Sequence, residues 1–198
     1  MILRTTPDLL SEQYSSEIEE LKSVFSIEGV RTIEYLAAEP PSLFKLVGDA
    51  LTWAPLIIPA TEFLRQLAKN ASDEVWKNRS KLLSVLGQAA LKPLRVLAER
   101  ITSIKSKCPR CKAYLGLPLE GEDYWASSVT LDTTDPVEAE WIISNFVLKA
   151  QAAEKLIDSL LSGGFQPLGM FQLILLSNGS WIIKWQDENG NEHEKQLD

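Results

Sequence analysis

The sequence contains few of the residues that build metal and redox sites. It has two cysteines, Cys108 and Cys111, and one histidine, His193. A structural zinc ion needs four ligands, so the three residues fall one short, and the cysteines remain weak metal candidates for a site shared between two chains. Reactive pairs of this spacing stand at the start of a helix, where the dipole favours thiolate, whereas this pair follows a predicted helix. We expect a linker with incidental thiols and no cofactor.

Motifs of catalysis are also missing. The chain has no glycine-rich phosphate loop and no G-x-S-x-G nucleophile motif. A serine or cysteine nucleophile would depend on His193, which lies on an expected edge strand close to the end of the chain. Five acids could gather around a divalent cation, but their contexts are typical of a solvated loop and a helix cap: Glu120, Glu122, Asp123, Asp132 and Asp135. We therefore expect no enzyme, with an unrecognised site as the alternative.

Long hydrophobic runs are absent as well. The longest uncharged run near the middle, Ala50 to Thr61, has 12 residues and two prolines. A helix that crosses a bilayer needs about 20 apolar residues, so this run is typical of buried core or of an interfacial segment. Only three apolar residues precede the first polar residue of the chain, whereas a secretory signal has a longer apolar stretch. We expect a cytoplasmic protein.

Positive charge is concentrated in one stretch of an acidic chain. Residues 75–112 contain ten Lys and Arg against one acid, Glu99, whereas both flanks are acidic and the net charge is −7. Such segregation makes a dipolar molecule. The basic stretch must face the acidic flanks of its own chain, an acidic surface of a partner, or solvent.

A helix through residues 75–104 would align part of this charge in a stripe. The stripe consists of Lys77, Lys81, Lys92, Arg95 and Arg100. It could be a solvated surface that the acidic flanks partly neutralise, or it could bind an acidic protein or an anionic membrane. Nucleic acid is not expected, because the overall charge is negative and few aromatic residues accompany the stripe.

Apolar spacing up to about Lys107 is helical. We expect helices from Asp8 to Leu21, over 30–36, over 42–54 after a Ser42 cap, and over 60–71. The basic helix follows, with a kink or break at Pro93. Together these elements predict an N-terminal helical bundle.

Beyond Lys107 the spacing becomes that of strands around one helix. Strands are expected at 113–117 and 126–133. Asp135-Pro136-Val137-Glu138 then gives a capping acid, proline at the first helical position and a second acid, and Gly163-Gly164 gives a left-handed exit. Two Asn-Gly pairs, Asn178-Gly179 and Asn189-Gly190, predict two hairpins and a three-stranded antiparallel meander.

If both hairpin turns have two residues, the register of the meander follows. Leu176 would face Trp181, Ile174 would face Ile183, and Gln172 would face Trp185. The reverse face would carry Phe171, Leu173, Leu175 and Ile182. Trp181 and Trp185 would share one face, either as buried core or, if uncovered, as a docking surface.

These patterns predict an α+β fold with a helical region at 1–107 and an α+β domain of order β-β-α-β-β-β at 112–198. We expect a non-catalytic interaction or adaptor module that binds an acidic protein partner through the basic helix. The alternative is a membrane-associated effector that uses the apolar stretch 43–67 with the basic helix on anionic lipid. A homo-oligomer is compatible with either function.

Overall fold

One mixed sheet runs through most of the described chain. The computed structural model describes residues 2–25, 27, 29–32, 42–69, 92–119, 122–164, 171–176 and 180–197. Its strands are β1 Ile2–Thr5, β2 Gly29–Thr32, β3 Leu43–Val47, β4 Lys112–Leu119, β5 Glu122–Leu131, β6 Gln172–Leu175, β7 Trp181–Gln186 and β8 Glu192–Leu197. The helices are α1 Ser15–Val24, α2 Ala50–Trp53, α3 Ile57–Lys69, α4 Lys92–Lys107 and α5 Pro136–Ser162.

The eight described strands lie in the order β2-β1-β3-β4-β5-β6-β7-β8. Three pairs are parallel, β1 with β2, β3 with β4 and β5 with β6, and the other pairs are antiparallel. Helices and a mixed sheet together confirm the α+β class. The expected order β-β-α-β-β-β is confirmed for residues 112–197.

The expected N-terminal helical bundle is wrong in part, because this region contributes β1, β2 and β3. Of the stretch 30–36 that was expected to be helical, residues 30–32 belong to β2, which pairs with β1, and residues 33–36 lie outside the described residues. Residues 43–47, also expected to be helical, form β3, in which Phe44, Leu46 and Val47 are buried. Burial on both faces erases the period-two alternation by which a strand is recognised. The sheet therefore crosses the expected boundary between 107 and 112.

Asp49, and not Ser42, caps the helix in this region. Its carboxylate accepts a hydrogen bond from the Thr52 N–H at 2.7 Å, so α2 begins at Ala50. Pro93, expected to kink or divide a long helix, is the second described residue of α4. Residues 70–91 lie outside the described part, so the preceding half of the expected basic helix is not described.

The described helices pack on one face of the sheet and share one hydrophobic core with it. From the sheet, the core takes Leu3, Phe44, Leu46, Leu115, Leu131, Leu173, Trp181 and Ile183, and from the helices it takes Leu21, Phe63, Leu97, Ile101, Ile143 and Phe146, among others. α5 begins as expected, with Asp135 accepting from the Val137 N–H at 3.0 Å. It ends at a glycine pair in which Gly164 has a positive φ.

The C-terminal meander is confirmed, but its register differs by one residue from the expectation. Leu175 faces Trp181, and Leu173 faces Ile183. The Leu176 N–H bonds to the Ser180 carbonyl, which leaves three residues between the paired positions instead of two. These residues, 177–179, include the expected Asn178-Gly179 turn and lie outside the described residues. A shift of one residue moves side chains to the other face. As a result Leu173 shares the buried face with Trp181 and Ile183, contrary to the expected arrangement.

The second hairpin also has a three-residue loop. Asp187 pairs with Asn191, and Gly190 takes a positive φ of 81°. The Asp187 carboxylate accepts hydrogen bonds from the backbone N–H groups of Asn189 and Asn191, both at 2.9 Å. An aspartate just before the loop and a glycine with positive φ at its end are typical of this kind of turn. Asp187 is therefore the residue in the sequence that indicates a three-residue loop.

Candidate functional site

Three cations lie side by side on the sheet face that points away from the helices, called the far face here. Arg4 on β1 stands opposite Arg31 on β2 and opposite Lys45 on β3. We call Arg31, Arg4 and Lys45 the cationic row. Neighbouring strands are about 4.8 Å apart, so the three residues start within about 10 Å of one another. Tyr114 on β4 continues the row, opposite Lys45.

Local sequence explains why these side chains share the far face. In β1, Leu3 and Thr5 are buried on the helix side, which turns Arg4 to the other side. In β3, Phe44 and Leu46 lie in the core and Lys45 alternates with them. Val30 of β2 packs against the core, so Arg31 also points to the far face.

Burial increases along the row from the edge of the sheet inwards. Arg31 is exposed, Arg4 is half-buried, and Lys45 is only 8% exposed. Burial, followed by the charge of Arg4, lowers the pKa of Lys45 to about 8. The Lys45 Nζ lies 6.0 Å from the centroid of the Tyr114 ring, within the range of a cation–π contact. Positive charge is thus held partly out of water at adjacent register positions.

Like charges directly opposite each other on neighbouring strands repel, and the charge of Arg4 contributes in this way to the lowered pKa of Lys45. A buried group whose pKa is shifted by burial and by a specific charged neighbour, as for Lys45, is a candidate for a functional site. No sequence pattern predicts the cationic row, because all three residues come from the acidic flank 1–74 and are far apart along the chain. Only strand pairing brings them together.

The basic helix has a different role in the described residues. On α4, Arg95 pairs with Glu140 at 3.5 Å and Arg100 pairs with Glu20 at 2.6 Å. Lys105 and Lys107 pair with Asp132 and Glu17, at 2.5 and 2.6 Å. Lys92 is exposed at the start of α4, while Lys77 and Lys81 lie outside the described residues. The acidic flanks therefore neutralise much of α4, which was one of the alternatives left open by the sequence.

The two tryptophans named as buried core or, if uncovered, as a docking surface are mostly covered. Trp181 is 1% exposed, and its ring meets Phe146 edge-on at a centroid distance of 6.5 Å. Trp185 is partly buried between Phe171, at 6.1 Å, and the stacked His193 ring, at 5.7 Å. The reading of these residues as core fits Trp181, and Trp185 lies at the rim of the core.

His193 has a structural partner at the same hairpin. Its Nε2 lies 3.0 Å from the Asp187 carboxylate. Hydrogen bonds from His193, then from Asn191, hold the pKa of Asp187 far below its usual range. The single histidine thus ties the ends of β7 and β8 together next to Trp185.

The weak metal candidates form a disulfide instead. Cys108 and Cys111 are bonded, with Cα atoms 5.3 Å apart. The turn after α4, in which the Cys111 N–H bonds to the Cys108 carbonyl, brings the two residues within the usual Cα range of a disulfide. Bonded sulfurs cannot act as thiolate ligands, and no group of three or more Cys, His, Asp or Glu within the described ranges is arranged for a metal ion.

The apolar stretch 43–67 divides between β3, which is buried, and the helical turns of α2 and α3. Two of its side chains remain highly exposed, Leu51 at 82% and Ile58 at 77%. With Pro55 between them, also exposed, their spacing places them along one side of consecutive helical turns. We call these three residues the apolar ridge. None of the helices within the described ranges combines the length and the apolar character needed to cross a membrane.

Two buried carboxyl groups lie between helices, and their environments differ. Glu140 of α5 is 1% exposed, and burial raises its pKa to about 7 against the attraction of Arg95. Neither its Oε1 nor the Ser144 hydroxyl one turn further along makes a hydrogen bond. Their surroundings therefore favour a neutral carboxyl group.

Glu17 of α1 is 3% exposed but well bonded. Lys107, Ser103 and Ser16 donate to its carboxylate at 2.6–2.8 Å. Burial alone would raise the pKa of Glu17, but these bonds outweigh it and lower the pKa to about 2. The Glu17 carboxylate thus joins α1 to α4 as an ion.

Comparison with known proteins gives no direction for the function. Neither protein-family models, nor curated proteins, nor solved structures match the chain. The function has to be argued from the site itself.

Proposed function

We propose that this protein is a non-catalytic interaction module that binds an acidic segment of a partner protein through the cationic row. The observation that carries the proposal is the placement of Arg31, Arg4 and Lys45 at one register position on three neighbouring strands. A partner's carboxylates would relieve the repulsion among these cations on binding.

On α4, Arg100 already contacts Glu20 at 2.6 Å, so an acidic partner would compete with that carboxylate there. The row brings three cations to one register position on neighbouring strands. We therefore propose the function expected from the sequence, the binding of an acidic protein partner, but with the binding residues on the sheet instead of on α4.

The test is binding of a labelled oligoglutamate peptide to the full chain, measured by fluorescence anisotropy. We expect Arg31→Ser and Arg4→Gln to weaken binding about 5- to 10-fold each, since a lost charged contact is worth about 1 kcal/mol. Lys45→Met should weaken binding as well without lowering the free energy of unfolding, because it removes a buried charge from a position of low exposure.

The matched control is Lys155→Ser, which removes an exposed cation from α5. It should leave peptide affinity within 2-fold of the starting protein. Binding should weaken steeply between 50 and 300 mM salt, as expected for ion pairs near the surface. Equal losses in Lys155→Ser and Arg31→Ser would contradict the proposal, because affinity would then follow net charge and not the row.

The apolar ridge supports a second candidate, contact with a lipid surface. Leu51 and Ile58 would bury their exposed side chains among acyl chains, at about 25 cal/mol per Å² of apolar area. The test is flotation with phosphatidylcholine vesicles, with and without phosphatidylserine. We expect the double variant Leu51→Ser with Ile58→Ser to abolish flotation. Thr61→Ser, on the helix α3 that also carries Ile58, should leave flotation unchanged. Absence of flotation with both vesicle types excludes this candidate.

A further inference from the structure

The disulfide between Cys108 and Cys111 closes a very short loop. The two cysteines are three positions apart, at the junction where α4 ends and β4 begins. In the chain-entropy account, a disulfide stabilises a fold by restricting the unfolded chain, and the effect grows with the length of the loop that it closes. A loop of this size gives little stabilisation, so support of the fold is a poor explanation for the bond.

The turn that carries the disulfide is also held by contacts that do not involve sulfur. The Cys108 N–H bonds to the Ile104 carbonyl, and the Cys111 N–H bonds to the Cys108 carbonyl, both at 2.9 Å. The Lys105 Nζ donates to the Cys111 carbonyl at 2.8 Å. These bonds should keep the two cysteines close together when the disulfide is open, so that the same pair can close again.

The two cysteines differ in their access to solvent. Cys111 is 1% exposed and belongs to the hydrophobic core. Cys108 is only partly buried, and Pro109 and Arg110, which follow it in the turn, are exposed. Exchange begins when a thiolate attacks one sulfur and displaces the other, so access decides which sulfur is attacked. The structure therefore favours attack at Cys108, with Cys111 as the leaving group.

Cations accompany the pair along the chain. Lys107 precedes it, Arg110 lies inside it and Lys112 follows it, and all three are exposed. Lys107 also pairs with Glu17, so part of its charge is neutralised. The C-terminal end of α4 opposes negative charge at the first sulfur, whereas the cations attract it. Because Arg110 is the cation within the turn, a thiol of negative charge should approach more readily than one of positive charge.

We infer that Cys108 and Cys111 form an exchange site for small thiols that carry negative charge. The first thiolate attacks the Cys108 sulfur and forms a mixed disulfide with it. The electron pair of the broken bond leaves with the Cys111 sulfur, which then takes up a proton. A second thiolate attacks the sulfur of the bound thiol and releases the Cys108 thiolate, which is also protonated. Two thiols are thereby oxidised to one disulfide, and the protein disulfide is reduced to two thiols.

This site lies apart from the cationic row, and the inference does not depend on the proposed function. The first test locates the attack of mercaptopropionate on the full chain. N-ethylmaleimide stops the reaction by blocking the released thiol, and tandem mass spectrometry then identifies the cysteine that carries the mixed disulfide. We expect at least about 10-fold more adduct on Cys108 than on Cys111, because Cys111 is buried.

The control for this test is the chain unfolded in urea, in which the two cysteines should react within about 2-fold of each other, because neither is buried there. Equal adducts in the folded chain, or more adduct on Cys111, would overturn the inference. Exchange in the folded chain that is more than about 100-fold slower than with hydroxyethyl disulfide, a neutral model compound, would also overturn it, because the bond would then be inaccessible.

The second test compares three thiols of similar size, namely anionic mercaptopropionate, neutral mercaptoethanol and cationic cysteamine. Each rate constant is divided by that of the same thiol with hydroxyethyl disulfide, which removes differences in thiol pKa and nucleophilicity. We expect the resulting value for mercaptopropionate to exceed that for cysteamine about 5-fold at 20 mM salt. The difference should shrink at 500 mM salt, because salt screens exposed charges.

Arg110→Ser should lower this preference for the anionic thiol about 2-fold or more, because it removes the cation within the turn. The matched control is Lys155→Ser, which removes an exposed cation from α5 and the same net charge, and it should leave the preference unchanged. Equal preferences in Arg110→Ser and the starting protein, or equal losses in the two variants, would contradict the inference.

Discussion

Replacing Glu140 with glutamine is expected to raise the free energy of unfolding at pH 8 by on the order of 2–3 kcal/mol. Burial raises the pKa of this carboxyl group from 4.5 to about 7. Below pH 4.5 it is neutral in both the folded and the unfolded chain. As the pH rises from 4.5 to 7, the unfolded chain ionises first, so stability falls until the folded pKa is passed. Glutamine carries no charge and removes this loss.

The groups around Glu140 support this sign. Arg95 attracts the carboxylate, but at 3.5 Å the pair is longer than a good hydrogen bond, and Glu99 opposes ionisation. The Arg95 Nε is buried, but the side chain as a whole is 21% exposed. Because part of this side chain lies at the surface, the substitution should cost less than removing one partner from a fully buried ion pair.

Urea unfolding at pH 4.5, 6 and 8 measures the effect. The starting protein and Glu140→Gln should agree at pH 4.5 and diverge towards pH 8. Asp158→Asn, at an exposed position on the same helix, is the control and should change stability by less than about 0.5 kcal/mol at each pH. A lower stability of Glu140→Gln at pH 8 would show that the ion pair with Arg95 outweighs burial.

Replacing Glu17 with glutamine is expected to have the opposite sign and to lower the free energy of unfolding at pH 7 by on the order of 2 kcal/mol. The pKa of Glu17 falls from 4.5 to about 2 because Lys107, Ser103 and Ser16 together outweigh burial. A lowered pKa contributes stability above pH 4.5, and this stability is lost as the pH falls to 2. Lys107 is 37% exposed, and solvent screening keeps the figure below the full value of the shift.

The same urea titration at pH 7, 4 and 2.5 tests this effect. The difference between Glu17→Gln and the starting protein should shrink as the pH falls. Glu19→Gln is the matched control on α1, because its partner Lys22 is one turn away and both side chains are exposed. It should cost less than about 0.5 kcal/mol. Equal losses for both variants at pH 7 would mean that Glu17 adds nothing beyond a surface pair.

The parts of the fold that could be predicted have signals confined to short stretches. Asp135 and Pro136 mark the start of α5 by capping chemistry that needs no distant partner. Strand-like apolar residues on both sides of turn sequences predict the meander. Its register could not be read in the same way, because it depends on whether the loop has two residues or three. In the second hairpin, the Asp187 side chain helps to set that length.

The candidate site could not be predicted, because its residues have no common signal along the chain. Arg4, Arg31 and Lys45 lie in short strands whose neighbours in sequence gave a helical pattern. The basic stretch 75–112 predicts a binding site on α4. In the structure, however, Arg95 and Arg100 of this helix contact Glu140 and Glu20. Charge counted along the sequence records how much is present in a segment, but not which groups meet across the fold.

The sequence by itself determined the α+β class, the long helix α5, the C-terminal meander and the segregation of charge. Each of these follows from residues that act on their immediate neighbours through capping, periodicity or turn conformation. Tertiary structure alone decided that residues 43–47 are a strand, that Glu17 is ionised while Glu140 is held towards neutrality, and that three cations share one row of the sheet. Those outcomes depend on pairing and burial between distant segments, which determine both the register of strands and the electrostatic environment of each side chain.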